Sequence, residues 1–248
     1  MHGLPAASRH SRLKVLGKET DLSIADIMRA FLPGSIEAGL NRAYGQSLRR
    51  HGASPQAVFW NSKKSQTARF AALLGTIRGE LTSAGRADAI PQIADVGCGY
   101  GALLEYMRAR PGLSSWGYHG VDINAAMIRE CRTRFATDKA RFTLGREPAV
   151  PVDYAVFSGT FNLCLIGDAA RWESYILECL AGSWPQCGKG MALNLLCRKQ
   201  TGITDRIYYA DRDAMTATLR RFGRVTAAPT PGVRHDVTFL VTRQPAPQ

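Results

Sequence analysis

Glycine occupies every second position in IADVGCGYGALL, residues 93–104, where Gly97, Gly99 and Gly101 follow a short apolar run and precede a helix-like one. An apolar run of this length, bounded by glycine, reads as a buried strand, and the pattern after it as the helix that strand feeds. A strand turned so tightly into a helix commits the chain to crossover connections, because the helix must return across the sheet before a parallel neighbour can form. From Gln92 onward the chain repeats that alternation. The strand candidates are IADVG, YHGVDI, ARFTLG, DYAVFSG, GMALNLL, GRVTAA and DVTFLVTR, and the helices between them are ALLEYMRAR, NAAMIRECRTRFA, DAARWESYILECLAGSW and DRDAMTATLRRFG. The expected fold class is α/β, with helices on both faces of a seven-stranded sheet. Only a short break separates the last two strands, so the sheet is expected to end in an antiparallel hairpin.

Upstream, the pattern is helical in pieces: DLSIADIMRAFL, a break at Pro33–Gly34, SIEAGLNRAYGQSLRRHG, SPQAVFW and NSKKSQTARFAALLGTIRGEL. In the last of these Phe70, Leu73, Leu74 and Ile77 form one apolar stripe with Gln66 and Arg69 at its upstream end. The polar stretch TSAGRADAIP then reads as a linker. The expected organisation is a flexible tail over residues 1–20, a helical cap or lid over 21–90, and a ligand-binding domain over 91–248.

No apolar run approaches the roughly 20 residues of a membrane span, and the basic N-terminal residues lack the apolar core of a secretory signal, so the expected location is cytoplasmic. The six cysteines show no C-x-x-C spacing and sit inside apolar patterns, which reads as reduced, buried thiols rather than metal ligands. Lys and Arg number 32 against 20 Asp and Glu, a net charge of +12. Such an excess can mark a nucleic-acid partner. Here the cations are dispersed along the chain, and the densest groups, Lys63–Lys64–Arg69 and Arg129–Arg132–Arg134, have the spacing of solvated helix faces.

Gly97-x-Gly99-x-x-Ala102 satisfies a loose dinucleotide fingerprint, and Asp122 stands where a ribose-binding acid is expected. On spacing alone NAD and S-adenosylmethionine fit equally. Asp95 separates them, because a carboxylate at the strand end repels a pyrophosphate but attracts an amino group and a sulfonium. With that, DVGCGYG followed by Val121–Asp122 resembles the class I S-adenosylmethionine-dependent methyltransferases over roughly residues 90–243. The resemblance implies a Rossmann-like sheet. It also implies that the backbone of Gly97, Gly99 and Gly101 passes beneath the methionine portion, that Asp95 meets the amine, and that Asp122, with Ile123 beside it, accepts from the ribose hydroxyls. Family members commonly carry an acid after the third strand for the adenine amine. Gly145, Arg146 and Glu147 stand there instead, which leaves the backbone around Leu144–Arg146 to read adenine.

The segment VFSGTFN after the fourth strand is expected at the reactive end of the cofactor, with Phe157 and Phe161 as candidates to face the sulfonium. Tyr44, Phe59, Trp60, Gln66 and Arg69 make an aromatic and basic set suited to a lid, Trp60 shielding the sulfonium and Arg69 holding the methionine carboxylate. Asn162, Ser158 and Tyr208 are the candidate catalytic residues. The leading expectation is methyl transfer to nitrogen or oxygen of a small metabolite in biosynthesis, the partner being a small-molecule acceptor. Two alternatives stand on the same scaffold. In one, the cofactor's own amine attacks its γ-carbon to form azetidine-2-carboxylate and methylthioadenosine, and no partner is needed. In the other, an RNA is methylated.

Overall fold

The structure, a computed structural model, describes residues 14–15, 18–19, 35–60 and 62–243. The helical reading of DLSIADIMRAFL and most of the expected tail lie outside those residues; within the tail, Lys14–Val15 pairs antiparallel with Lys18–Glu19.

Strands β1 (Gln92–Val96), β2 (Gly117–Asp122), β3 (Arg141–Leu144), β4 (Val152–Phe157) and β5 (Cys187–Arg198) run parallel to one another. The short strands β6 (Gly202–Thr204) and β7 (Ile207–Asp211) follow, and then β8 (Arg224–Pro229) and β9 (Asp236–Thr242). Across the sheet the order is β8-β9-β5-β4-β1-β2-β3, with β9 antiparallel to both of its neighbours. The seven expected strands and the terminal hairpin are therefore present. The chain leaves β1 for β2 on one side and reaches β4 on the other, and this reversal opens a crevice at the strands' carboxyl ends.

The helices are α1 (Ile36–His51), α2 (Lys63–Ser83), α3 (Ala102–Arg108), α4 (Pro111–Ser114), α5 (Ala125–Arg134), α6 (Ala169–Ser183) and α7 (Arg212–Leu219). Ser35 and Ser62 start α1 and α2, their side chains accepting from the N–H groups of Ala38 and Ser65. The stripe of α2, Phe70, Leu73, Leu74, Ile77 and Leu81, is buried in one core with Ile93, Leu104, Met107 and Tyr154. On the opposite face Trp172, Ile176 and Leu180 of α6 pack with Ala155, Phe157 and Leu193. All six cysteines are buried and free.

The pair β6 and β7 has no counterpart in the sequence reading. Its turn is Asp205–Arg206, both in the left-handed region at φ 52° and 62°, where a two-residue hairpin normally advertises itself with Asn-Gly or Asp-Gly. With no glycine at the turn and a strand of three residues on one side, the segment carries no hairpin signature.

Two glycines test this packing in opposite directions. A Cβ on Gly75, in the exposed middle of α2, meets nothing, whereas one on Gly190 runs into the Val241 carbonyl of the adjacent strand. Gly75→Ala is expected to stabilise the protein by about 0.5–1 kcal/mol, and Gly190→Ala to destabilise it by about 1–3 kcal/mol. Thermal unfolding of the two variants checks the signs.

Candidate active site

Asp95 near the end of β1 and Asp122 at the end of β2 are both buried, on adjacent strands in parallel register. The loop that follows β1 is built around them. Gly97 and Gly99 take φ of 78° and 54°, which side chains other than glycine rarely adopt, and both make close approaches. A Cβ on Gly97 would lie 2.6 Å from the Thr160 methyl, and one on Gly99 2.9 Å from Val58. The N–H groups of Gly97 and Cys98 donate to the Val121 carbonyl at 2.8 and 3.0 Å. Gly99 N–H donates to Asp122 Oδ2 and Asn124 N–H to Asp122 Oδ1, each at 2.8 Å. One backbone donor per oxygen fixes the carboxylate and leaves each oxygen a further lone pair. Asp95 accepts from the Tyr118 hydroxyl at 2.6 Å.

Around these acids runs a mostly apolar cleft. Leu40 and Tyr44 of α1, then Val58, Trp60, Gln66 and Phe70, form one wall; Ile123, Met127, Gly145 and Arg146 form another; and Ser158–Phe161 closes the end beyond β4. Three contacts tie these walls together. The Asn124 side chain caps α5 and donates to the Asn41 carbonyl of α1 at 3.0 Å. Thr160 Oγ1 donates to the Val96 carbonyl at 2.8 Å, and Trp172 Nε1 to the Phe161 carbonyl at 3.0 Å. Ser158 Oγ is buried in this setting without a hydrogen-bond partner.

A second recess of about 300 Å³ adjoins the cleft and shares Tyr44, Val58, Trp60 and Gly159 with it. Its further lining includes Phe59, Asn162, Leu196, Tyr209 and Arg234.

A family model described as a methyltransferase domain matches residues 93–179, which run from β1 into α6. The Mycobacterium tuberculosis protein Rv1506c, which bears a methyltransferase name, is 34% identical over 126 residues, 50% of this chain and 75% of that protein. The chain belongs to the class I S-adenosylmethionine-dependent methyltransferases. Among solved structures, a SAM-dependent methyltransferase of Leishmania major superposes with TM-score 0.59 at 14% identity, covering 97% of this chain and 100% of that one. Magnesium protoporphyrin IX methyltransferase of Synechocystis, solved with bound SAM, gives TM-score 0.53 at 14% identity over 84% and 94% of the two chains. At these identities the likeness is one of fold.

In this methyltransferase Asp95, Gly97, Gly99, Asp122, Ile123, Ser158, Phe161 and Trp60 all line the cleft, as do Gly145 and Arg146 after β3. Other residues singled out in the sequence stand elsewhere. Gly101 is a packing glycine outside the lining, where a Cβ would strike the Phe135 ring. Arg69 does not reach the cleft as a carboxylate clamp: its guanidinium lies 4.4 Å over the Trp60 ring, and its Nε donates to the buried Asp236. Phe157 is fully buried in the sheet core and stacks on Phe161 instead of facing a ligand. Asn162 lines the recess and not the cleft, with Oδ1 accepting from Leu196 N–H at 3.4 Å. Tyr208 is buried, its hydroxyl donating to Glu173, while the next residue, Tyr209, faces the recess. Alternation along β7 turns Tyr208 into the core and Tyr209 towards the recess. Tyr118, which bonds Asp95, and Tyr209 and Arg234, which line the recess, carry no local sequence signal, because tertiary packing alone brings them there.

Burial pushes Asp95 up to about 7 and Asp122 up to about 6, with repulsion from Asp122 adding to the rise at Asp95. Burial likewise holds the Tyr118 phenol well above its usual range, so it stays a donor to Asp95. A carboxylate whose folded pKa lies above its unfolded value binds more protons in the folded state. Its ionisation therefore erodes stability as pH rises from the unfolded value through the folded one. Asp95→Asn keeps an acceptor for Tyr118 and removes that penalty. The ligand-free variant is expected to be more stable than the parent by about 1–3 kcal/mol at pH 8, the gain vanishing towards pH 4. Thermal melts across that range measure it, and an equal gain at both ends contradicts the assignment.

Proposed function

We propose that this methyltransferase transfers a methyl group from S-adenosylmethionine to a nitrogen or oxygen of a small metabolite. The observation that carries the reading is the adjoining recess. A walled space of about 300 Å³ opening off the cleft past Trp60 suits a small molecule better than a polymer. The dispersed charge supports it too, since Arg69, Arg108, Arg134, Arg146, Lys189 and Arg224 are engaged with carboxylates. A nucleic-acid partner would call for cations gathered on one face.

The residues of the cleft suit the cofactor. Two buried carboxylates with raised proton affinity favour a ligand that brings positive charge. Ser158 Oγ offers a buried hydrogen-bonding group with nothing to bond. In this reading Asp95 holds the amine, the free lone pairs of Asp122 accept from the ribose hydroxyls, and Gly97 and Gly99 let the backbone approach. Gly145 and Arg146 border the adenine, while Phe161 and Trp60 flank the sulfonium. S-adenosylmethionine supplies an activated methyl group. The protein's part is to align it and exclude water. Arg69 acts as a positioning residue, fixing Trp60 from behind through its own bond to Asp236. Of the expected 21–90 lid, residues 35–60 would close over the cleft, with Val58 and Trp60 the inner edge, while α2 is packed into the sheet core.

For cyclisation, Asn162, Ser158 or Tyr208 would have to bind the amine; Ser158 lines the cleft, whereas Asn162 and Tyr208 do not.

Asp122→Ala is expected to weaken cofactor binding by about 1.5–3 kcal/mol for each charge-assisted hydrogen bond lost, read by calorimetry; unchanged affinity overturns the ribose assignment. With an acceptor present the product is expected to be S-adenosylhomocysteine. Catalytic release of methylthioadenosine from cofactor alone would replace methyl transfer with cyclisation.

A further inference from the structure

The recess beside the cleft has a chemical character of its own. Four of its lining residues are aromatic, Tyr44, Phe59, Trp60 and Tyr209, and among the described residues none of its lining is an Asp, Glu or His. Tyr44 and Phe59 meet edge to face with centroids 5.2 Å apart, and the Arg198 guanidinium sits 3.5 Å over the Tyr209 ring. The charge of Arg69 is matched by Asp236, but Arg234 has no partner among the described residues. Asn162 accepts from Leu196 through Oδ1, which leaves its Nδ2 donor free.

We propose that this recess binds a planar acceptor carrying an anionic oxygen, its ring packed among Tyr44, Trp60 and Tyr209 and its charge met by Arg234 and the Asn162 amide. The inference rests on the methyl-transfer reading above and names the acceptor class for it. Two features select an oxyanion over an amine. For an ammonium group the recess offers no carboxylate and the charge of Arg234 would repel it, whereas that unpaired cation and the free amide donor match a carboxylate or phenolate. A protonated nucleophile would also need a base, and no Asp, Glu or His among the described residues lines the recess to serve as one. An oxygen that is already ionised needs neither. Its lone pair forms the new oxygen–carbon bond as the methyl carbon–sulfur bond breaks, and the electron pair of that bond stays on sulfur. The oxyanion and the sulfonium are both neutralised, and no proton moves. Apposing opposite charges in an apolar cleft also favours the encounter of the two substrates.

The test uses the full chain saturated with S-adenosylhomocysteine, titrated calorimetrically with 4-hydroxybenzoate and, separately, with benzylamine. The expected result is binding of 4-hydroxybenzoate, weakened roughly three- to tenfold in Arg234→Gln, with benzylamine not bound and affinity for S-adenosylhomocysteine unchanged in the variant. Turnover with S-adenosylmethionine then identifies the oxygen: a methyl ester marks the carboxylate, a methyl ether the phenolate. Benzylamine binding as well as the benzoate, no benzoate binding, or an affinity indifferent to Arg234→Gln overturns the acceptor class and leaves the cofactor reading standing. Failure to bind S-adenosylhomocysteine overturns both.

Discussion

Asp95 and Asp122 stand at the ends of adjacent parallel strands, and almost everything near them is apolar. Two carboxylates so placed are costly to ionise, which is why their proton affinities rise to about 7 and 6. The surrounding chain is arranged around that penalty. Gly99 and Asn124 each spend a backbone N–H on Asp122, and Tyr118 gives its hydroxyl to Asp95. These bonds fix the acids without neutralising them. A ligand that carries an ammonium and a sulfonium completes the charge balance, and the glycine loop lets it come close enough to do so.

The far wall of the cleft depends on a chain of contacts from the opposite end of the sequence. Trp60 lies under Arg69, Arg69 is held by Asp236 at the start of β9, and the adjacent Thr238 is bonded to Thr230 and Asn194 at 2.8 and 2.9 Å. The last strand of the sheet thereby sets the position of a residue that precedes the first. This explains why Arg69 is unsuited to gripping a cofactor directly: its guanidinium is already engaged within the protein.

Local signals made the sheet legible. Short apolar runs, crossover spacing and the absence of a crossover before the last strand pointed to the seven main strands and their terminal hairpin, and DVGCGYG with Asp122 located the cleft. What remained hidden is non-local. The β6–β7 hairpin turns on Asp205–Arg206 without glycine, and with that strand unseen Tyr208 was preferred to Tyr209. Arg69 looked free because its partner lies 167 residues away. Gly101 matched the loop's rhythm but caps α3 in the left-handed region at φ 82°, with the Phe135 ring packed against it.

The cleft holds protons on its buried carboxylates until a cation displaces them. Calorimetric binding of S-adenosylmethionine in buffers of different ionisation enthalpy measures those protons directly. At pH 6, where Asp95 is largely protonated and Asp122 about half so, binding is expected to release about one proton or slightly more, with less release as the pH approaches 8 and with most of the release lost in Asp95→Asn, Asp122 supplying what remains. Binding at pH 6 without proton release, or with the same release in Asp95→Asn, would contradict the account.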